Sequence, residues 1–231
     1  MTVMRTRRFA SERAAVLVAL GIASLISIGL EAVREVHYGS SSYRFMLPNL
    51  VLAWIPFLLA LVLYDRYRRS SAVGGLVPLA VLWLLFLPNA PYTMTDFVHL
   101  EPSTATPLWF DGVTLSAFGW TGLLLGFVSI YLMHAVARHR FGARAAWYGV
   151  FVVFGLVSAG IYLGRVMRWN SWDLIVQPGR RIAELAAHMT DPGAVARATA
   201  ITLVCAAALT VAYFVFYVLV GVRLNPERYR R

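Results

Sequence analysis

Two polar strings in this 231-residue chain have residue types and spacings that could do chemistry. The first runs Leu87-Pro88-Asn89-Ala90-Pro91-Tyr92-Thr93-Met94-Thr95-Asp96-Phe97-Val98-His99-Leu100. Its Asp96 and His99 are three residues apart and would share a face of a helix. An Asp–His pair can ligate a metal, or the carboxylate can orient the imidazole for acid–base catalysis. Asp173, with Glu101, would complete such a site. The second string runs Tyr162-Leu163-Gly164-Arg165-Val166-Met167-Arg168-Trp169-Asn170-Ser171-Trp172-Asp173. Arg165 and Arg168 are one turn apart if the helix continues past Gly164. Two guanidinium groups at a bilayer surface suit a phosphate or carboxylate, a lipid headgroup included. Asp96 and His99 are therefore the candidate catalytic residues. Asn89, Arg165, Arg168, Asn170 and Asp173 are the candidate ligand-binding residues.

Each of these residues also has a purely structural reading. Thr93 or Thr95 could cap a short helix with Asp96 in its first turn. Arg165 and Arg168 could pair with Asp96 and Asp173 and so close the helix ends. Asn170 to Asp173 reads as a helix cap followed by an interfacial tryptophan, and Trp109, Trp169 and Trp172 suit an aromatic belt. Asn49 and Asn89, each beside a proline, can satisfy the carbonyls of a broken helix. No motif names a cofactor, and two metal-capable residues in one string do not make a metal site.

The strings LFLPNAPYTMTDFVHL and YLGRVMRWNSWD, with the preceding NLVLAWIPFLLA, resemble the bacterial integral-membrane group called the domain-of-unknown-function 1361 family. The resemblance runs from about Tyr43 to Asp173. It implies a bacterial inner-membrane location and brings no biochemical activity with it.

The elements that must position these residues are membrane helices. Hydrophobic residues make up 59% of the chain and charged residues 14%, and the mean hydropathy is +0.66. The charges sit in short clusters between long apolar runs, which excludes a soluble fold. A bilayer core of about 30 Å needs roughly 20 mostly apolar helical residues. Six segments qualify: 14–30, 45–64, 73–87, 113–136, 146–164 and 194–222. The basic start followed by residues 14–30 has no small-residue cleavage pattern, so it is read as an uncleaved first helix. Cys205 is the single cysteine and lies in an apolar run, which excludes an intramolecular disulfide.

Orientation follows from the arginines, which supply all 21 basic residues. An N-in, C-in arrangement puts 14 of them in the cytoplasm, Arg223, Arg228, Arg230 and Arg231 among them, against Glu12, Asp65 and Glu227. The outer segments then hold seven arginines and eight acids. The net charge of +10 is thus the signature of loops held inside, and it does not point to nucleic acid. Ile182, Leu185, Ala186 and Met189 recur at helical spacing and predict a short outer helix lying in the interface. Gly122-x-x-x-Gly126 and Gly160-x-x-x-Gly164 make flat stripes for helix packing inside the protein, or for oligomer formation.

The fold class expected is all-α, a polytopic membrane helix bundle forming a single domain. No Asp, Glu, Lys or Arg falls in the middle of the expected spans, which weighs against a proton-coupled transporter. His134 is expected at the interface. The reading that follows is an outward-facing polar site for an anionic or headgroup-like ligand. An outer-leaflet Asp/His enzyme, a small permease and an assembly subunit are the alternatives.

Overall fold

The computed structural model describes residues 2–69, 74–102, 105–170 and 172–221. Ser171 and the C-terminal Arg223, Arg228, Arg230 and Arg231, used above for capping and orientation, lie outside the described residues. All described regular structure is helical: α1 (Thr2–Tyr38), α2 (Met46–Arg69), α3 (Val77–Phe86), α4 (Asn89–Tyr92), α5 (Leu108–Phe141), α6 (Ala143–Arg165), α7 (Asp173–Val176), α8 (Pro178–His188) and α9 (Pro192–Gly221), with 3₁₀ turns at Gly74–Leu76 and Thr93–His99. Among the described residues six helical segments are long and apolar enough to cross a membrane: Arg13–Tyr38, Met46–Arg69, Val77–His99, Leu108–Phe141, Ala143–Arg165 and Pro192–Gly221. The fold is all-α, as expected.

The first helix is longer than the span expected within it. It was expected to end at Leu30, where charge begins, but α1 continues to Tyr38. The extension carries Glu31 and Arg34, both buried. Leu20, Ser24, Ser27, Glu31 and Arg34 are the buried residues among the described side chains of α1, at alternating spacings of four and three, so they form one buried helical face. The opposite face, with Val18, Leu25 and Ile26 exposed, suits lipid.

The chain divides into two compact units, Met1–Leu59 with Val81–Val128, and Ala60–Ala80 with Ser129–Arg231. In the first, α2 buries Met46, Leu50, Ala53 and Phe57 at the same spacing as α1. α3 ends before Pro88, which has no N–H to continue the ladder, and the chain tightens through α4 into the 3₁₀ turn. That tightened segment lies against α5 where α5 has no side chains. A Cβ on Gly122 would stand 2.5 Å from the Ala90 carbonyl oxygen, and one on Gly126 would be 3.2 Å from the Ala90 Cβ. This glycine stripe therefore serves packing within the chain.

In the second unit α6 packs along α9, burying Ala146, Val150, Phe154, Val157, Ser158, Ile161 and Tyr162. α9 is the most exposed span, with 6% of its apolar window buried against 67% for α5, so most of its surface is left for lipid. His134, expected at the interface, is 2% exposed within the protein. Its Nδ1 lies 3.1 Å from the Tyr213 hydroxyl, and the rings of Trp147 and Tyr217 pack around it.

Candidate functional site

A polar seam runs along the buried face of α1 in the first unit. The Ser24 hydroxyl donates to the Leu20 carbonyl at 2.9 Å and accepts the Trp54 indole N–H from α2 at 3.0 Å. Ser27 Oγ lies 3.3 Å from Thr121 Oγ1 of α5. One turn further the seam becomes ionic. Arg34 Nε donates to Asp111 Oδ1 at 2.7 Å, one Nη to Oδ2 at 3.4 Å and the other to the Ser40 carbonyl at 3.2 Å. The Arg34 and Asp111 side chains are 3% and 2% exposed, so water screens the pair little. Tyr43 lies under the guanidinium, 4.0 Å from ring centroid to Cζ.

Tyr43 also ties this cluster to the first of the two polar strings, because its hydroxyl donates to the His99 carbonyl at 3.0 Å. Burial pushes its phenol above the usual tyrosine range, with the Asp111 carboxylate adding to the effect, so it remains a donor at neutral pH. Arg44, next along, pairs with Glu35 at the surface, and that hydrogen bond raises its pKa further. Glu31 sits one turn before Arg34 and is 2% exposed, yet neither carboxyl oxygen has a hydrogen-bond partner among the described residues.

Asp96 is buried and His99 exposed, so the two expected catalytic residues occupy different environments. Asn49 Nδ2 lies 3.5 Å from Asp96 Oδ2, and the His99 ring packs on Phe45 at 5.0 Å. Thr93 and Thr95 do not cap a helix through their hydroxyls. They donate backward, to the carbonyls of Ala90 and Tyr92 at 2.9 and 2.7 Å. Asn89 donates to the Phe86 carbonyl at 2.8 Å, the broken-helix role that the neighbouring proline suggested. No group of three metal-capable side chains occurs among the described residues.

The second string belongs to the second unit. Its Asp173 carboxylate accepts the Asn170 backbone N–H at 2.9 Å and an Arg181 Nη at 2.8 Å. Arg181 reaches Glu184 as well, at 2.8 Å, and its guanidinium lies 5.5 Å from the Trp169 ring centroid. That hydrogen bond to Arg181 holds the Glu184 carboxyl below the usual range. Trp169 is thus buried, while Trp109 and Trp172 are exposed. Arg165 is half-buried. Arg168 is exposed, has a left-handed backbone with φ 55° and makes no ion pair with a described residue. At the opposite end of the second unit's α2 and α5 segments, a cavity of about 440 Å³ is lined by Tyr64, Tyr67, Arg68 and His139. None of the residues singled out from the sequence takes part in it.

Residues 48–220 match the family model described as Protein of unknown function (DUF1361). The chain belongs to this family. No curated protein and no solved structure matches it. Asn49, both polar strings, Asp111 and α8 fall within the DUF1361 match, whereas Glu31, Arg34 and Tyr43 precede it. Glu31, Arg34 and Asp111 were not singled out from the sequence. The signal for the first two was the spacing of Ser24, Ser27, Glu31 and Arg34 along one face of an otherwise apolar helix. Nothing local marks Asp111, whose partner is 77 residues away.

Proposed function

We propose that this protein is a multi-pass protein of the bacterial inner membrane, N-in and C-in, that binds an anionic headgroup on its outer face through Arg168. The observation that carries the reading is the state of the arginines between α6 and α9. Arg181 is held by two carboxylates, whereas Arg168 is exposed and makes no ion pair with a described residue. A non-glycine residue in the left-handed region is uncommon, and such outliers cluster at binding sites. The segment between α6 and α9 suits an interfacial location, since Val166, Trp172, Val176, Ile182 and Met189 are exposed apolar side chains in the same stretch of chain as Arg168 and Arg180. The arginine distribution supports the orientation, since the outer segments are close to neutral. A cation near an anionic membrane surface contributes about 1 kcal/mol.

Lipid co-purification tests the reading. Protein purified in mild detergent is expected to retain phosphate-bearing anionic lipid, and Arg168→Gln to lose most of it at unchanged thermal stability. Excess inorganic phosphate separates the sources of the anion: displacement would identify a free-anion site, and persistence a headgroup site. Equal retention by wild type and variant would sink the proposal.

A further inference from the structure

Glu31 is a buried ionisable group whose carboxyl oxygens have no hydrogen-bond partner among the described residues. The charged and titratable groups around its carboxyl are Arg34 and Glu35 on its own helix, Asp111 on α5, and Arg44 and Tyr43 in the α1–α2 connection. Both cations are engaged. Arg44 is paired with Glu35, and Arg34 spends its donors on Asp111 and the Ser40 carbonyl. With everything ionised, the buried part of the cluster would hold two carboxylates against one guanidinium, and one carboxylate would have no hydrogen bond. A buried charge in that state is the least stable arrangement open to the side chain, and a proton removes it. A metal ion fits less well. It needs several oxygen ligands, and both Asp111 oxygens are already turned to Arg34.

We propose that Glu31 and Asp111 form a proton-binding pair that holds one proton between them, carried by whichever carboxyl Arg34 does not hold. In the arrangement described here Arg34 holds Asp111, so Glu31 carries the proton. Glu31 is one helical turn from Arg34, within reach of the same guanidinium after a side-chain rotation. When Arg34 turns to Glu31, the Glu31 O–H bond breaks and its electron pair stays on the carboxylate. The proton passes to Asp111, directly or through water, and a new O–H bond forms there. One proton and one positive charge are conserved throughout. Intramembrane ionisable groups in proton relays have this character. The site is separate from the Arg168 reading and does not depend on it.

Infrared spectroscopy of the full-length protein in lipid vesicles tests the proposal. At neutral pH the wild type should show the C=O stretch of a protonated, buried carboxylic acid. Isotopically labelled glutamate should shift that band, and Glu31 is the one glutamate buried among the described residues. Glu31→Gln should remove the band. Asp111→Asn should remove it as well, because Arg34 then has only Glu31 to hold and keeps it ionised. A wild type without the band, or a band unmoved by labelled glutamate, would overturn the proposal even if both variants failed to fold. A band that persists in Asp111→Asn would overturn the role given to Arg34.

Discussion

Replacing Arg34 with Met should be the most damaging single change in the first unit, and its cost should exceed that of neutralising Asp111. The pair is joined at 2.7 and 3.4 Å with both side chains at most 3% exposed. Removing one partner of such a buried pair typically costs about 3–5 kcal/mol, because the other charge stays buried alone. In Arg34→Met Asp111 loses the cation that holds it, Glu31 loses the one it could turn to, and the stacking on Tyr43 is lost too. Asp111→Asn differs, because the amide keeps the shape and Arg34 can turn to Glu31 one turn away. The expected loss is then that of a charge-assisted hydrogen bond, about 1.5–3 kcal/mol. The gap of roughly 1–2 kcal/mol is about a tenfold difference in the folding equilibrium. Reversible unfolding in mixed detergent micelles, followed by tryptophan fluorescence, would measure both. The Arg34→Met deficit should shrink as pH falls, since protons can then take the place of the missing guanidinium. Equal losses, or a larger loss in Asp111→Asn, would refute the idea that Arg34 serves two carboxylates.

Gly122→Ala places a methyl against the Ala90 carbonyl, a backbone atom that cannot swing aside, and should cost about 1–3 kcal/mol. Gly112→Ala on the same helix has nothing within 4 Å and should be neutral or stabilising by about 0.5–1 kcal/mol, both read from thermal midpoints. Trp54→Phe removes the indole donor to Ser24 while keeping an aromatic ring, and a loss of about 1 kcal/mol in the same assay is expected. The Glu184 carboxyl is lowered by its hydrogen bond to Arg181, so its contribution is present above the unfolded carboxylate value near 4 and fades as pH falls through the lower folded value. Amide exchange in α8, corrected for its intrinsic pH dependence, should therefore accelerate in that acidic window in the wild type, and Glu184→Gln should flatten the response.

The sequence made the long apolar elements legible because each is a continuous run whose length alone matches a bilayer. α8 was legible for a related reason, the helical recurrence of Ile182, Leu185 and Ala186 within one short segment. Asn89 was read correctly because the reason is local: a proline beside it leaves a carbonyl to satisfy. The length of α1 was not, because Glu31 and Arg34 interrupt the apolar run without ending the helix. Glu31 and Arg34 face the protein, and their partners come from α5 and the α1–α2 connection. The same distance in sequence hid the surroundings of His134, whose partner Tyr213 is 79 residues away. Nothing in residue type showed that Arg181 lies over Trp169, where Asp173 and Glu184 hold that guanidinium in place. Residue type gave the chemistry available in each string, and tertiary pairing decided which side chains remained free to use it.

Lipid selectivity of the wild-type protein tests headgroup binding through Arg168. Reconstituted in bilayers with spin-labelled lipids, the protein should hold anionic phosphatidylglycerol over zwitterionic phosphatidylcholine by about fivefold, the factor expected for one exposed arginine at about 1 kcal/mol. That preference should weaken at high salt, as screening of an exposed cation requires. A protein that holds the two lipids equally at low salt, or whose preference is unchanged in Arg168→Gln, would contradict the account.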